Sequence, residues 1–182
     1  MRVSRKQVEE NKQTILTAAG RLFRERGFDA VTVTDIMKSA GLTHGGFYGY
    51  FKSKDDLIAQ TLAELKIEND AAKNDVVAQI DRYLSPEHRD NFASGCPLAA
   101  LAAETIRQSE PARDEMSARL QQQIAQLSEA MDDRDAQASR RAAIGSWSAM
   151  VGALILARMT ADSAFSDEIL GETAAWLAEK QR

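Results

Sequence analysis

TVTDIMKSAGLTHGGFYGYFKSK, residues 32–54, is the stretch that decides the fold. Val33, Ile36, Met37 and Ala40 fall at helical spacing behind Thr32, and Asp35 stands where the partner of a capping box belongs. Gly41 suits a sharp turn and Leu42 returns to the core. Thr43 is placed to cap a second helix that carries Phe47, Tyr50 and Phe51 inward. Two short helices joined in this way form a helix-turn-helix, whose second helix enters a DNA groove.

That second helix contains Gly45, Gly46 and Gly49. Each costs about 1 kcal/mol relative to alanine in a helix interior, so stability does not explain them. Missing side chains let a backbone approach another surface, and the free N–H groups of a helix start bind phosphate. His44, Tyr48 and Tyr50 offer imidazole and hydroxyl groups, and Lys52 and Lys54 suit flanking phosphates.

Charge supports this. The chain of 182 residues has a net charge of −4, but it is unevenly divided. Residues 1–54 hold 10 Lys and Arg against 5 Asp and Glu, a net of +5. Residues 55–182 hold 13 against 22, a net of −9. A basic end on an acidic body localises the phosphate-binding surface. With 44% hydrophobic residues, three prolines and few β-branched runs, an all-α fold is expected. No apolar run reaches the roughly 18 residues of a membrane span. The polar start and single cysteine point to the cytoplasm, with no signal peptide and no disulfide within the chain.

About nine helices follow from the periodicity. The first runs from about Lys6 to Arg26, with Ile15, Leu16, Ala19, Leu22 and Phe23 inward and Gly27 as its stop. After the helix-turn-helix, Ser53 caps a fourth helix from Lys54, and a break near Asn69–Asn74 leads to a fifth ending at Leu84. SPEHRDNFASG has the composition of a loop. A sixth helix starts at Pro97. A seventh starts at Pro111, with Met116, Leu120, Ile124, Leu127 and Met131 inward, and MDDRD is a short connection. The eighth, about Ala136 to Ala161, is apolar almost all round from Trp147 to Met159, and Ser166 caps a ninth. Such a terminal pair is expected to pack with a second copy as a four-helix bundle, with Leu154 at the interface. A homodimer would present two readers to the half-sites of a palindromic operator. These boundaries predict a DNA-binding domain over residues 1–53 and a ligand-binding and dimerisation domain over 54–182.

ILTAAGRLFRERGFDAVTVTDIMKSAGLTHGGFYGYFKSKDDL, residues 15–57, resembles the TetR family of bacterial transcriptional regulators. The carrying features are Ala-Ala-x-x-Leu-Phe, Gly-Phe, the Thr before the second helix, Ala-Gly at the turn, and Tyr-x-x-Phe-x-x-Lys. The resemblance implies a dimeric repressor that leaves double-stranded DNA when a small-molecule inducer binds its C-terminal domain. It implies DNA-facing roles for Thr32, Thr43, His44, Gly46, Tyr48, Tyr50 and Lys54. Gly49 stands where many members carry His or Asn, and Lys12 where many carry Arg. GCPLAALAAE followed by SEPAR also resembles a branch that includes N-ethylmaleimide-type electrophile sensors, which use a cysteine at the position of Cys96. The same pattern occurs in members that bind ligands without covalent chemistry.

With Pro97 first in its helix, Cys96 falls at the N-cap, where the helix dipole favours a reactive thiolate. Arg158 is the only charge between Arg141 and Asp162 and is a candidate partner for a thiolate, for Glu104 or for an anionic ligand. Trp147, Met150, Met116, Phe92 and Leu120 are candidate chamber walls. The blander alternatives are a small core cysteine, an arginine snorkelling at a dimer edge, and ordinary core packing. Other function classes fare worse. The histidines are His44 and His88; His88, in the expected loop, is the only base near Cys96 for a cysteine-dependent enzyme. Two histidines and one cysteine are too few for a typical zinc site, and no phosphate-cradling glycine motif is present, so neither metal nor cofactor is expected. A helical interaction module without DNA binding would leave the basic unit unexplained.

Overall fold

A computed structural model describes residues 4–65, 75–131 and 135–180. Among the described residues there are ten helices and no strand. They are α1 (Arg5–Arg26), α2 (Val33–Ser39), a 3-10 helix (His44–Gly49), α3 (Lys54–Glu64), α4 (Val76–Tyr83), α5 (Pro86–Asp90), α6 (Pro97–Thr105), α7 (Glu110–Ala130), α8 (Ala136–Met159) and α9 (Ser163–Glu179). The expected break near Asn69–Asn74 and the centre of MDDRD lie outside the described residues. The chain forms two compact units, Met1–Lys66 with Ala100–Ser117, and Ile67–Ala99 with Ala118–Arg182. The first therefore takes in more than the expected 1–53.

In the first unit Ser4 caps α1, and Ile15, Leu16, Ala19, Leu22 and Phe23 are all buried, as their spacing requires. α1 packs on α2 and α3. Gly27 ends α1 at φ 79° and ψ 169°, a backbone region open essentially to glycine alone. Thr32 and Asp35 form the expected capping box: the Asp35 N–H donates to Thr32 Oγ1 at 3.1 Å, and the Thr32 N–H to Asp35 Oδ2 at 3.0 Å. Beyond α2, Gly41 adopts φ 71°. There the Leu42 N–H donates to the Met37 carbonyl and the Gly41 N–H to the Lys38 carbonyl, the paired bonds of a Schellman turn.

The chain beyond α3 departs from expectation in four places. SPEHRDNFASG contains a helix, because Ser85 accepts the His88 N–H and Pro86 takes the first position of α5. Asp162, not Ser166, caps α9, accepting the Ala164 and Phe165 N–H groups. Ser166 lies buried within the helix and donates to the Ala157 carbonyl at 2.8 Å. Along α7 the buried residues are Ala112, Met116, Arg119, Gln123 and Leu127, with Leu120 exposed and Ile124 only half-buried.

The fourth departure concerns α8, which packs on α9. Leu154, expected at a dimer interface, is fully buried in the single chain, together with Ala143, Met150 and Ala153. Exposed apolar groups stand elsewhere on the pair: Ile144, Ile155, Leu156 and Met159 on α8, Phe165 and Trp176 on α9. By length and composition α8 could cross a membrane, with an 18-residue window of mean hydropathy 1.4. Its buried face makes it a core helix of this unit.

Candidate nucleic-acid interface and sensor site

The reading element is a 3-10 helix rather than the expected α-helix. Three glycines in six residues remove the propensity that would sustain an α-helix, and short 3-10 turns tolerate this. Phe47 and Phe51 anchor it, 1% and 2% exposed, with ring centroids 5.6 Å apart. Thr43 occupies the N-cap position, but its side chain makes no capping bond. Thr32, Thr43, His44 and Tyr48 are exposed, Tyr48 by 73%. Gly46 and Tyr50 are half-buried, so Tyr50 only partly turns inward.

Several of these side chains are already positioned by neighbours that sequence reasoning missed. His44 Nδ1 lies 3.2 Å from Thr34 Oγ1. The Tyr50 hydroxyl accepts from Asn11 Nδ2 at 3.0 Å, which ties the reading helix to α1. Lys54 is half-buried and donates its ammonium to the Phe28 carbonyl at 2.6 Å, whereas Lys52 is exposed. A side chain at Gly45 or Gly49 would meet no atom within 4 Å. Among the described residues nothing therefore asks for glycine at these two positions.

Two carboxylates fix the frame. Hydrogen bonds from the Thr32 hydroxyl and backbone hold the Asp35 carboxyl below its ordinary pKa. The Lys52 backbone N–H, with help from Gln60, does the same for Asp56.

In the second unit Cys96, Trp147 and Arg158 are gathered around Tyr83, which sequence reasoning passed over, and His88, which it weighed only as a base for Cys96. Tyr83 packs against Trp147 and His88, with ring centroids 5.1 Å and 4.6 Å away. His88 Nδ1 is 2.7 Å from the Tyr83 carbonyl, so that nitrogen carries the proton. Its Nε2 accepts the Cys96 backbone N–H at 3.1 Å. His88 is therefore neutral here. The Nε2 lone pair is engaged by the backbone N–H of Cys96, which disfavours a role as base for the thiol.

Arg158 closes the far side. Its Nε donates to the Arg89 carbonyl at 2.9 Å and its Nη2 to the His88 carbonyl at 3.0 Å, capping the end of α5. Its guanidinium lies over the Phe92 ring at 4.5 Å. Burial lowers its pKa, and the nearby Tyr83 and Cys96 oppose that shift. Cys96 is a half-buried free thiol. Burial first, then the Cys96 side chain, push the Tyr83 hydroxyl far above its ordinary value, so it remains a protonated donor.

Glu104 does not join this group. It lies in the first unit, where its carboxylate accepts the Phe28 backbone N–H. Among the described residues no cluster of three or more His, Cys, Asp or Glu could hold a metal ion.

Comparison with known proteins bears on both units. Residues 15–61 match the model of the bacterial regulatory proteins of the tetR family. Residues 74–169, more than half of the chain, match that of the transcriptional regulator LmrA/YxaF-like C-terminal domain. The chain belongs to the TetR family. Its relatives there include the transcriptional repressor NemR of Escherichia coli K12, 28% identical over 136 residues that cover 68% of each chain. AcrR of Shigella flexneri is 34% identical over 77 residues, 38% of this chain and 36% of that protein. The first curated relatives are matched over only about a third to a half of their own lengths. Among solved structures, the reduced form of E. coli NemR superimposes with a TM-score of 0.75 at 21% identity, covering 93% of this chain and 96% of that one. A TetR-family regulator from Agrobacterium tumefaciens gives 0.74 at 21% identity, covering 92% and 97%. These family members are regulators rather than enzymes, and the likeness to the solved structures is one of fold.

Proposed function

We propose that this TetR-family chain is a cytoplasmic homodimeric repressor that binds a palindromic operator and releases it when a small molecule enters the second unit. The observation that carries the proposal is the pair Gly45 and Gly49, on an exposed helix with open space where their side chains would stand. Two glycines close together on so short a helix suit close approach of an external surface, and the basic charge around them favours phosphate. Thr32, Thr43, His44, Gly46, Tyr48 and Tyr50 present the contacts, while Lys54 supports them through Phe28. The exposed Ile144, Ile155, Met159, Phe165 and Trp176 supply an apolar face for a second copy.

Titration of DNA from upstream of the chain's own coding sequence, at several salt concentrations, tests this. Specific binding that weakens steeply with salt is expected. A flat salt dependence, or equal affinity for random DNA, rejects it.

A covalent trigger is the second possibility, favoured by the free, half-buried Cys96 within the field of Arg158. Cys96→Ser should then retain DNA binding but lose release by quinones or aldehydes. Undiminished release removes Cys96 from the mechanism.

A further inference from the structure

We infer that the Trp147 indole N–H and the Tyr83 hydroxyl are the polar end of the ligand site, and that they receive a carbonyl-type oxygen on a small aromatic molecule. The inference rests on the proposal that the second unit houses the ligand, and it names the chemistry of that ligand.

Trp147 is 6% exposed, and among the described residues neither its Nε1 nor the buried Tyr83 hydroxyl oxygen has a hydrogen-bond partner. Buried donors are rarely left this way in a folded protein. Indole N–H donates only, and Tyr83 is held protonated by burial. The Cys96 side chain is close enough to influence the hydroxyl, but its sulfur is a weak acceptor. Both orphans therefore ask for an acceptor, and carbonyl or carboxylate oxygen offers two lone pairs. The rings carrying them pack against each other, centred 5.1 Å apart, so the two orphaned donors belong to one aromatic cluster. The surrounding surface is aromatic, with His88 edge-on to Tyr83. A charge beside the cluster is Arg158, whose donors are partly committed to the carbonyls of His88 and Arg89. An aromatic ring bearing a conjugated oxygen fits this combination of stacking faces and unmet donors.

Two sources share that chemistry, a neutral ketone and an aromatic carboxylate. Acetophenone and benzoate represent them, and ethylbenzene is the same ring without an acceptor. In a Trp176→Phe background Trp147 is the sole tryptophan of the full chain, and its fluorescence reports binding directly. Acetophenone or benzoate should shift the emission saturably to the red, with ethylbenzene at least about tenfold weaker. Tyr83→Phe keeps the ring and should weaken the bound probe about tenfold without lowering the melting temperature. Tighter benzoate that weakens with salt identifies an anionic ligand; tighter acetophenone identifies a neutral one. Ethylbenzene binding as well as acetophenone, or Tyr83→Phe binding like the parent, overturns the inference while leaving a ligand-responsive regulator intact. Silence from all three probes overturns it as well, whereas the regulator proposal itself is decided separately by the salt dependence and specificity of binding to the upstream DNA.

Discussion

Glu104 holds the backbone of Phe28, 76 positions away in the sequence, by accepting its N–H at 2.7 Å. Lys54 donates to the carbonyl of the same residue, so both polar groups of Phe28 are met by side chains distant in sequence. Phe28 itself is fully buried between α1 and α2. Its peptide is thus a fixed point of the first unit rather than part of a loose connection.

Removing the acceptor should destabilise the first unit. Glu104→Ala leaves the Phe28 N–H unpaired at a cost of about 1–3 kcal/mol, read as a lower urea midpoint. Glu104→Gln keeps an acceptor and should lose less. Gly27→Ala should lose at least as much, because it meets both a glycine-only backbone conformation, worth about 1–3 kcal/mol, and the Glu104 carboxylate in the space its Cβ needs. Equal stability of Gly27→Ala and the parent would show that neither the backbone conformation nor the carboxylate penalises a side chain there.

The two lysines should behave differently. Lys52 is exposed, so Lys52→Ala should reduce the slope of log affinity against log salt by about one and leave stability unchanged. Lys54→Met removes the bond to Phe28, so DNA affinity and melting temperature should fall together. A Lys54→Met protein that melts like the parent but binds DNA weakly would make Lys54 a direct phosphate contact.

Gly45→Ala and Gly49→Ala separate folding from reading. With open space at both Cβ positions, each should leave stability unchanged or raise it by up to about 1 kcal/mol. Each should nevertheless weaken operator binding, because a methyl group now stands on the face that meets DNA. Full affinity in both variants would leave the glycines without a DNA-facing role.

Much of this was legible because it is local. The capping box, the Schellman turn at Gly41 and the inward face of α1 each depend on residues within one or two turns, and local hydrogen bonding decides them. What escaped is settled at long range or by competition between similar patterns. On α7 two helical stripes were available, and apolar content favoured Leu120 and Ile124 where packing buries Arg119 and Gln123. Ser85-Pro86 was a helix start hidden in a polar stretch. Tyr83 and His88 give no motif, and their value appears only when α4 and α5 bring them to Cys96 and Trp147.

Acid should loosen the first unit through two carboxylates. Asp35 and Asp56 have folded pKa values below the ordinary 3.8, so each favours the folded state at pH values above about 3.8. That contribution is lost as pH falls through their lowered folded values. Thermal melts should be flat from pH 7 to pH 5 with respect to these groups and fall below about pH 4. Asp35→Asn, which weakens the capping box at all pH values, should show a shallower acid decline than the parent. An unchanged decline would place the acid sensitivity elsewhere.

The contrast between Ile155 and Leu154 tests the dimer more cleanly than either alone. They are neighbours on α8, yet Leu154 is fully buried in the single chain and Ile155 is 42% exposed. A charge at Leu154 has no route to water, so Leu154→Glu should unfold the second unit and says nothing about assembly. Ile155→Glu meets solvent in the single chain, where surface substitutions usually change stability by no more than about 0.5 kcal/mol. In a dimer built on the exposed α8 and α9 face, the same carboxylate would face its own copy across the two-fold axis without water. Ile155→Glu should therefore keep helical content while its mass in solution falls from that of two chains to one. Affinity for a full palindrome should drop toward that for a half-site. A folded, dimeric Ile155→Glu protein would move the interface off this face.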